Sequence, residues 1–195
     1  MGTLVSQTFV TLDGVTQAPG SKDEDQRDGF ENGGWVVPFV DDDYIQNAIA
    51  MNQRAEAYML GRGTYEQFAF WWPQRPTDGD PISTALNTLP KYVASTTLRP
   101  EDLTWQNSHL IEGDLVEGVR RVKNAFAGDI AISGSVTFLQ PLLRHRLIDE
   151  LQVLVFPVVV GPGHRLFREA LPYSLQLTES RTTSTGVQIQ TWVPG

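Results

Sequence analysis

The sequence contains no cysteine. That excludes disulfides, thiolate metal sites and cysteine nucleophiles together, and fits a reducing cytoplasm, where we expect the protein to work. Histidine is nearly as scarce. His109, His145 and His164 are the only three in 195 residues; they fall at no metal-ligand spacing, so no metal centre is expected. Positive charge is in deficit, with 15 Lys and Arg against 23 Asp and Glu and a net charge of −8. Such a surface repels phosphate backbones and argues against nucleic acid, while leaving room for a local pocket that holds one small phosphate. Long apolar runs are missing as well. The most apolar stretch, "VLVFPVVV" at 153–160, is far too short to cross a bilayer and reads as a buried strand. The N-terminus lacks a basic stretch followed by an apolar one, so neither a signal peptide nor membrane association is expected.

What is present suffices for a core. Apolar residues make up 41% of the chain, and the length is that of one ordinary domain, expected to span residues 1–195. Residues 3–12 read as a strand closed by Asp13-Gly14. The stretch 15–38, dense in Gly, Asp and Pro, reads as a long surface or binding loop. Asp41 to Ala55 carries Tyr44, Ile45, Ala48, Ile49 and Asn52 at helical spacing behind three aspartates that could cap it. A short buried strand, 57–60, leads into a helix expected to begin at Thr64, where Thr64 and Gln67 have capping-box spacing, and to stop at Pro73. A polar loop, "QRPTDGDP", follows. Strands are predicted at 91–96 and 129–133, with a helix over 114–127 between them and another after Gly134. A strand over 150–161, bent at Pro157, precedes a hairpin around Ser184-Thr185-Gly186. Strands alternating with helices, then a terminal hairpin, give an α/β fold: a mostly parallel central sheet with helices on both faces and antiparallel strands at one edge.

In such sheets ligands sit beyond the carboxyl ends of strands, where the chain turns into a helix. Two junctions qualify, "LGRGTYE" and "ISGSVTFL". Each sets glycine at a sharp reversal before a helix N-terminus, whose free N–H groups and dipole attract anions. Thr64, Ser133 and Ser135 add hydroxyls, Arg62 offers a guanidinium fork for phosphate, and Ser95, Thr96 and Thr97 end a neighbouring strand. Neither junction is a G-x-G-x-x-G fingerprint or a Walker sequence.

The order of the pieces, "TLDGV", "GRGTYE", "AST", "ISGSVTFLQPLL" and "LIDELQVLVFPVVVGPGHRLF", resembles the dihydrofolate-reductase-like superfamily. It is most similar to the reductase half of the bacterial riboflavin-biosynthesis deaminase/reductase and its stand-alone relatives. The resemblance covers nearly the whole chain and implies a three-layer dihydrofolate-reductase-like fold. It also implies an NADPH-dependent reductase of a small, pyrimidine- or pterin-like substrate, akin to 5-amino-6-(5-phosphoribosylamino)uracil reductase. Carried over by motif, it sets Gly61, Arg62, Gly63, Thr64 and Tyr65 against the cofactor phosphates. Ser95, Thr96 and Thr97 then lie near the adenosine 2′-phosphate, and Ser133, Gly134, Ser135 and Val136 under the pyrophosphate. Proton handling falls to Asp13, or to the acid opening the first helix, Asp43 ahead of Asp41 and Asp42. Each of these aspartates is equally suited to a turn or a cap. Gln17, Trp35, Phe39 and Trp71 are candidates to line a substrate pocket. Asp149 and Glu150 read as support for local structure. The family's zinc deaminase motifs, H-x-E and P-C-x-x-C, are absent from these residues. The resemblance further implies a homodimer. Dihydrofolate reductase activity and a non-catalytic NADPH-binding homodimer are the competing expectations.

Overall fold

The computed structural model describes residues 1–195 throughout. Its strands are Thr3–Thr11 (β1), Ala55–Gly61 (β2), Lys91–Ala94 (β3), Ser108–Leu110 (β4), Asp129–Ile132 (β5), Glu150–Phe156 (β6), Leu175–Thr182 (β7) and Gln188–Pro194 (β8). They form one sheet in the order β4-β3-β2-β5-β1-β6-β8-β7. The pairs β1–β5, β5–β2, β2–β3 and β3–β4 are parallel, and β6–β8–β7 is antiparallel. The helices are Asp42–Arg54 (α1), Arg62–Trp71 (α2), Pro81–Thr88 (α3), Leu115–Ala125 (α4) and Val136–Arg144 (α5). None is long and apolar enough to cross a membrane. The mostly parallel sheet with a terminal hairpin is therefore the fold this chain adopts.

Local chemistry accounts for the elements. Ala57, Tyr58, Met59 and Leu60 are all buried in β2, as a parallel strand covered on both faces requires. The side chain of Asp114 accepts from Glu117 N at 3.1 Å and caps α4, whose Val119 and Val122 turn inward.

The chain divides into two compact units, residues 1–6 with 47–150 and residues 7–46 with 151–195. In the first, Tyr58, Leu60, Tyr65, Leu86, Val93 and Trp105 form the core. Two buried lysines sit beside apolar surroundings, each with oxygen partners. Lys91 Nζ donates to Leu86 O and Leu89 O, both at 2.8 Å, and lies 4.3 Å from the Trp105 ring centre. Lys123 Nζ meets Asp149 Oδ2 at 2.5 Å and Leu147 O at 3.1 Å. The same Asp149 oxygen accepts from Leu4 N at 2.6 Å, so "LIDEL" is a structural clamp. In the second unit Phe156 is ringed by Trp35, Phe9, Phe39 and Tyr44, with centroids 5.3, 5.9, 6.0 and 6.2 Å away.

The structure departs from expectation at four places. The second helix begins at Arg62, with Gly61 as N-cap and no side-chain capping bond, so Thr64 is a first-turn residue and the Thr64/Gln67 box does not form. The polar loop ends in an unforeseen helix, α3, which Asp80 caps by accepting from Ile82 N at 3.0 Å, with Pro81 at its first position. The strand expected over 150–161 ends at Phe156, one residue before the proline that cannot donate to a ladder. Within residues 15–38, Val15, Thr16, Gln17, Ala18, Phe30, Trp35 and Val36 are buried while 20–23 and 26–29 are exposed, so the loop does not lie wholly on the surface but is anchored in the core.

Candidate functional site

The two glycine-marked reversals meet. β2 runs out at Gly61 with φ −72 and ψ 157, a conformation open to any residue, so crowding is what demands glycine here. A Cβ on Gly61 would lie 2.7 Å from Ser135 Oγ and 3.1 Å from Phe138 Cβ. From the other side, Gly134 has φ +83, and its Cβ would lie 3.1 Å from Thr64 Oγ1. Gly61 N donates to Gly134 O at 3.4 Å, and the Gly134–Ser135 peptide is cis. Since β2 and β5 are parallel neighbours with Met59 beside Ile132, both reversals open at the carboxyl ends of adjacent strands.

The arrangement leaves donors open. The first-turn N–H groups of Arg62, Gly63 and Thr64 in α2, and of Val136, Thr137 and Phe138 in α5, have no acceptor within their own helices, and both positive dipole ends converge there. Ser135 is the N-cap of α5, yet its hydroxyl makes no capping bond. Thr64 and Ser133 to Val136 are half-buried, and Gly63 is exposed with open space where a side chain would stand. Arg62 Nη1 lies 3.6 Å from Glu66 Oε1, both side chains about half exposed. Such a pair contributes only about 0.3–0.5 kcal/mol, so the guanidinium turns to another anion at little cost. Tyr65 differs from its neighbours. Its ring is buried, its hydroxyl accepts from Trp105 N at 3.1 Å, and its main-chain N–H is the first to close the helix, on the N-cap carbonyl of Gly61.

The stretch Ser95–Thr97 leaves the adjoining strand, because Ala94 pairs with Gly61. Ser95 Oγ accepts from Leu98 N at 2.9 Å and Thr97 N at 3.1 Å, closing its own turn. Thr96 and Thr97 are exposed. Arg99 stands just beyond them, paired at the surface with Glu101 and Asp102. Sequence reading passed over this cation, although its place two residues after a hydroxyl run was the available signal. Two dipole ends, a loosely held arginine and the exposed hydroxyls of Thr96 and Thr97, the latter 3.4 Å from Ser95 Oγ, can together hold more than one phosphate.

The second unit treats its polar residues otherwise. Asp13 accepts from Thr11 Oγ1 at 2.6 Å and Gly161 N at 2.9 Å. Desolvation works to raise its pKa, but the bonds from Thr11, Gly161 and Val160 together hold it below the ordinary 3.8. An aspartate kept ionised in this way is a poor proton donor. Asp43 lies exposed in the first turn of α1. The capping role belongs to Asp41, which accepts from Tyr44 N at 2.8 Å, Ser184 Oγ at 2.8 Å and Thr185 N at 3.0 Å. Desolvation opposes ionisation of Asp41 too, yet these bonds keep its carboxyl far below the usual range. Gln17 is buried and fully engaged: Nε2 donates to Arg27 O at 3.0 Å and Asp25 O at 3.2 Å, and Oε1 accepts from His164 N at 3.1 Å. Trp35 is buried, its Nε1 donating to Gln17 O at 2.8 Å. Of the four pocket-lining expectations, Gln17 and Trp35 are thus held by contacts within the fold. Phe39 is half-buried beside Phe156, and Trp71, in the first unit, is 60% exposed against Phe70.

A depression of about 430 Å³ in the first unit is lined by Asn52, Asp80, Thr84 and Thr88 among others, and by neither glycine reversal. Its hydroxyls and its asparagine already bond within the fold, and we assign it no ligand.

Comparison with known proteins adds the following. The family model described as RibD C-terminal domain matches residues 2–189. The chain is 27% identical over 128 residues to the uncharacterized protein YyaP of Bacillus subtilis (strain 168), a match spanning 63% of this chain and 66% of that relative. Among solved structures, a protein named for riboflavin biosynthesis from Shewanella sp. PV-4 superposes with TM-score 0.69 at 20% identity, over 99% of both chains. Dihydrofolate reductase from Enterococcus faecalis, complexed with NADP(H), superposes with TM-score 0.62 at 14% identity, over 99% of this chain and 96% of that one. Both likenesses are of fold.

Proposed function

This chain belongs to the RibD C-terminal domain family, and from that premise we propose that it is an NADPH-dependent reductase delivering a hydride to a small heterocyclic substrate of pyrimidine or pterin type. One observation carries the reading: two helix N-termini, interlocked through Gly61 and Gly134, present open main-chain donors at the ends of neighbouring parallel strands. A pyrophosphate fits such a pair of positive ends. The residues around it suit a third phosphate as well. Arg62 and Arg99 supply cations and Thr96 and Thr97 supply hydroxyls, which favours NADPH over NADH; the nearby carboxylates, Glu66, Glu101 and Asp102, are each paired with one of these arginines.

When bound, NADPH supplies the hydride; the protein's part is to orient the acceptor and manage one proton. For the proton we keep Asp13 and Asp43 as candidates, and for the acceptor Gln17, Trp35, Phe39 and Trp71. A second reading, a protein that binds NADPH without turnover, draws support from the same carboxylates, because Asp13 is held ionised and Asp43 stands in solvent. We also propose that two copies of the chain pair, since the outermost strand, β7, is exposed along most of its length.

Titration with NADPH, followed by its fluorescence, tests cofactor binding: saturable enhancement is expected, and an unchanged signal at high micromolar cofactor overturns both readings. Turnover with the ribosylaminopyrimidine intermediate and with dihydrofolate then separates enzyme from binder.

A further inference from the structure

Asn32 stands directly before Gly33 in the loop between β1 and α1. Of the six asparagines in the chain it alone is followed by glycine. Such a pair has a chemistry of its own. With no side chain on the second residue, its main-chain nitrogen can reach the carboxamide carbon and close a five-membered ring. Asn32 meets the requirements: its side chain is exposed, its backbone belongs to no helix or strand, and Gly33 N–H donates to no acceptor. The other asparagines are placed differently. Asn47 and Asn87 are buried, Asn52 and Asn124 lie in α1 and α4, and Asn107 precedes a serine, whose side chain crowds the attacking nitrogen.

Packing explains why so labile a pair stands here. A Cβ on Gly33 would lie 2.7 Å from Ser21 O and 2.9 Å from Lys22 O, both main chain, so a larger residue has no room. Asn32 Nδ2 donates to Val160 O at 3.0 Å, and Val160 N donates to Asp13 Oδ1 at 3.4 Å. One carboxamide thus ties the loop to a residue that also holds Asp13. We propose that Asn32 is a site of spontaneous deamidation, whose product releases the loop around it from Val160. Gly33 N attacks Asn32 Cγ, the bond from Cγ to Nδ2 breaks, and Nδ2 leaves as ammonia with the proton that Gly33 N gives up. Water then opens the cyclic imide at either carbonyl, leaving aspartate or isoaspartate. The sum is an amide plus water giving an acid plus ammonia, with no oxidant or cofactor. The new carboxylate has no N–H to give Val160 O and sets a negative charge against it, so the tether is lost.

Ageing the full chain in mildly alkaline, heavy-oxygen water, followed by peptide mass mapping, tests the site. Asn32 is expected to become an acid carrying one heavy oxygen, well ahead of every other asparagine. Asn32→Gln, whose longer side chain disfavours the ring, should stay unmodified. Lys22 and Arg27 are exposed in the same loop, so trypsin reads the tether. Asn32→Asp, with folding verified by circular dichroism, should be cut there roughly threefold to tenfold faster than fresh wild type, and aged wild type should move the same way. An Asn32 that stays intact, or converts no faster than Asn107, overturns the site. Equal acid formation in Asn32→Gln overturns the ring-closing route, and wild-type cutting rates in both Asn32→Asp and the aged protein overturn the release of the loop.

Discussion

The reversals after β2 and β5 and the turn after β1 draw on the same residue types, a glycine, hydroxyls and a charge, and they use them in opposite ways. Around Gly61 and Gly134 the first-turn N–H groups have no helical acceptor, Ser135 caps nothing, and Arg62 is only loosely paired. Around Asp13, Gln17 and Asp41 the carboxylates and the amide are bonded within the fold. The difference separates two tasks. Groups left open can meet a ligand; groups closed on one another hold the scaffold that keeps loops in place. Asp13, a candidate for the proton by its motif, is also bonded within the fold through both carboxylate oxygens.

The contrast can be broken at its tightest point first. Gly61→Val drives a side chain into Ser135 and Phe138; overpacking of this kind costs about 3 kcal/mol of stability. By parting the two helix starts it should lower NADPH affinity roughly a hundredfold, read by fluorescence titration beside a urea melt. Gln17→Ala should cost about 2–3 kcal/mol, because two carbonyls and an N–H lose their partner in a buried setting. Cofactor affinity should stay unchanged; if it falls in step, the division between open and closed groups fails. Arg62→Glu should leave the urea midpoint nearly where it was and weaken NADPH about tenfold. NADH should suffer less, and equal losses would show that Arg62 does not meet the 2′-phosphate.

The gentlest test is pH. Asp13 and Asp41 have folded pKa values below the ordinary 3.8, so as acid is added the unfolded chain takes up protons first. Their stabilisation is complete above that value and is lost as pH falls through the lower folded values. Asp41→Asn should flatten the acid limb of a stability-against-pH curve, and Asp13→Asn should do so more weakly.

Much of this fold was legible because parallel strands announce themselves by unbroken apolar runs such as 57–60, and helix α4 by its spacing and its cap. Helix α3 was missed although Asp80-Pro81 is a proper start signal; the surrounding polar, proline-rich residues read as loop. The loop 15–38 was legible as a loop but its anchoring was not, because a buried amide, Gln17, can draw a polar segment inward by bonding main chain that no periodicity reveals. The glycines of the candidate site were found as turn formers, but the reason for Gly61 lies in Ser135 and Phe138, more than seventy positions along the chain, and only tertiary structure brings them together. Tyr65 stands in the most diagnostic motif and still belongs to the core.

The mutual contact of Gly61 and Gly134 has one more consequence. Because each bare backbone fills the space beside the other's hydroxyl, the starts of α2 and α5 are fastened together when the protein folds. The proposed cofactor would have nothing to assemble on arrival, so the ordering cost that a looser cradle would subtract from its binding energy would already be met.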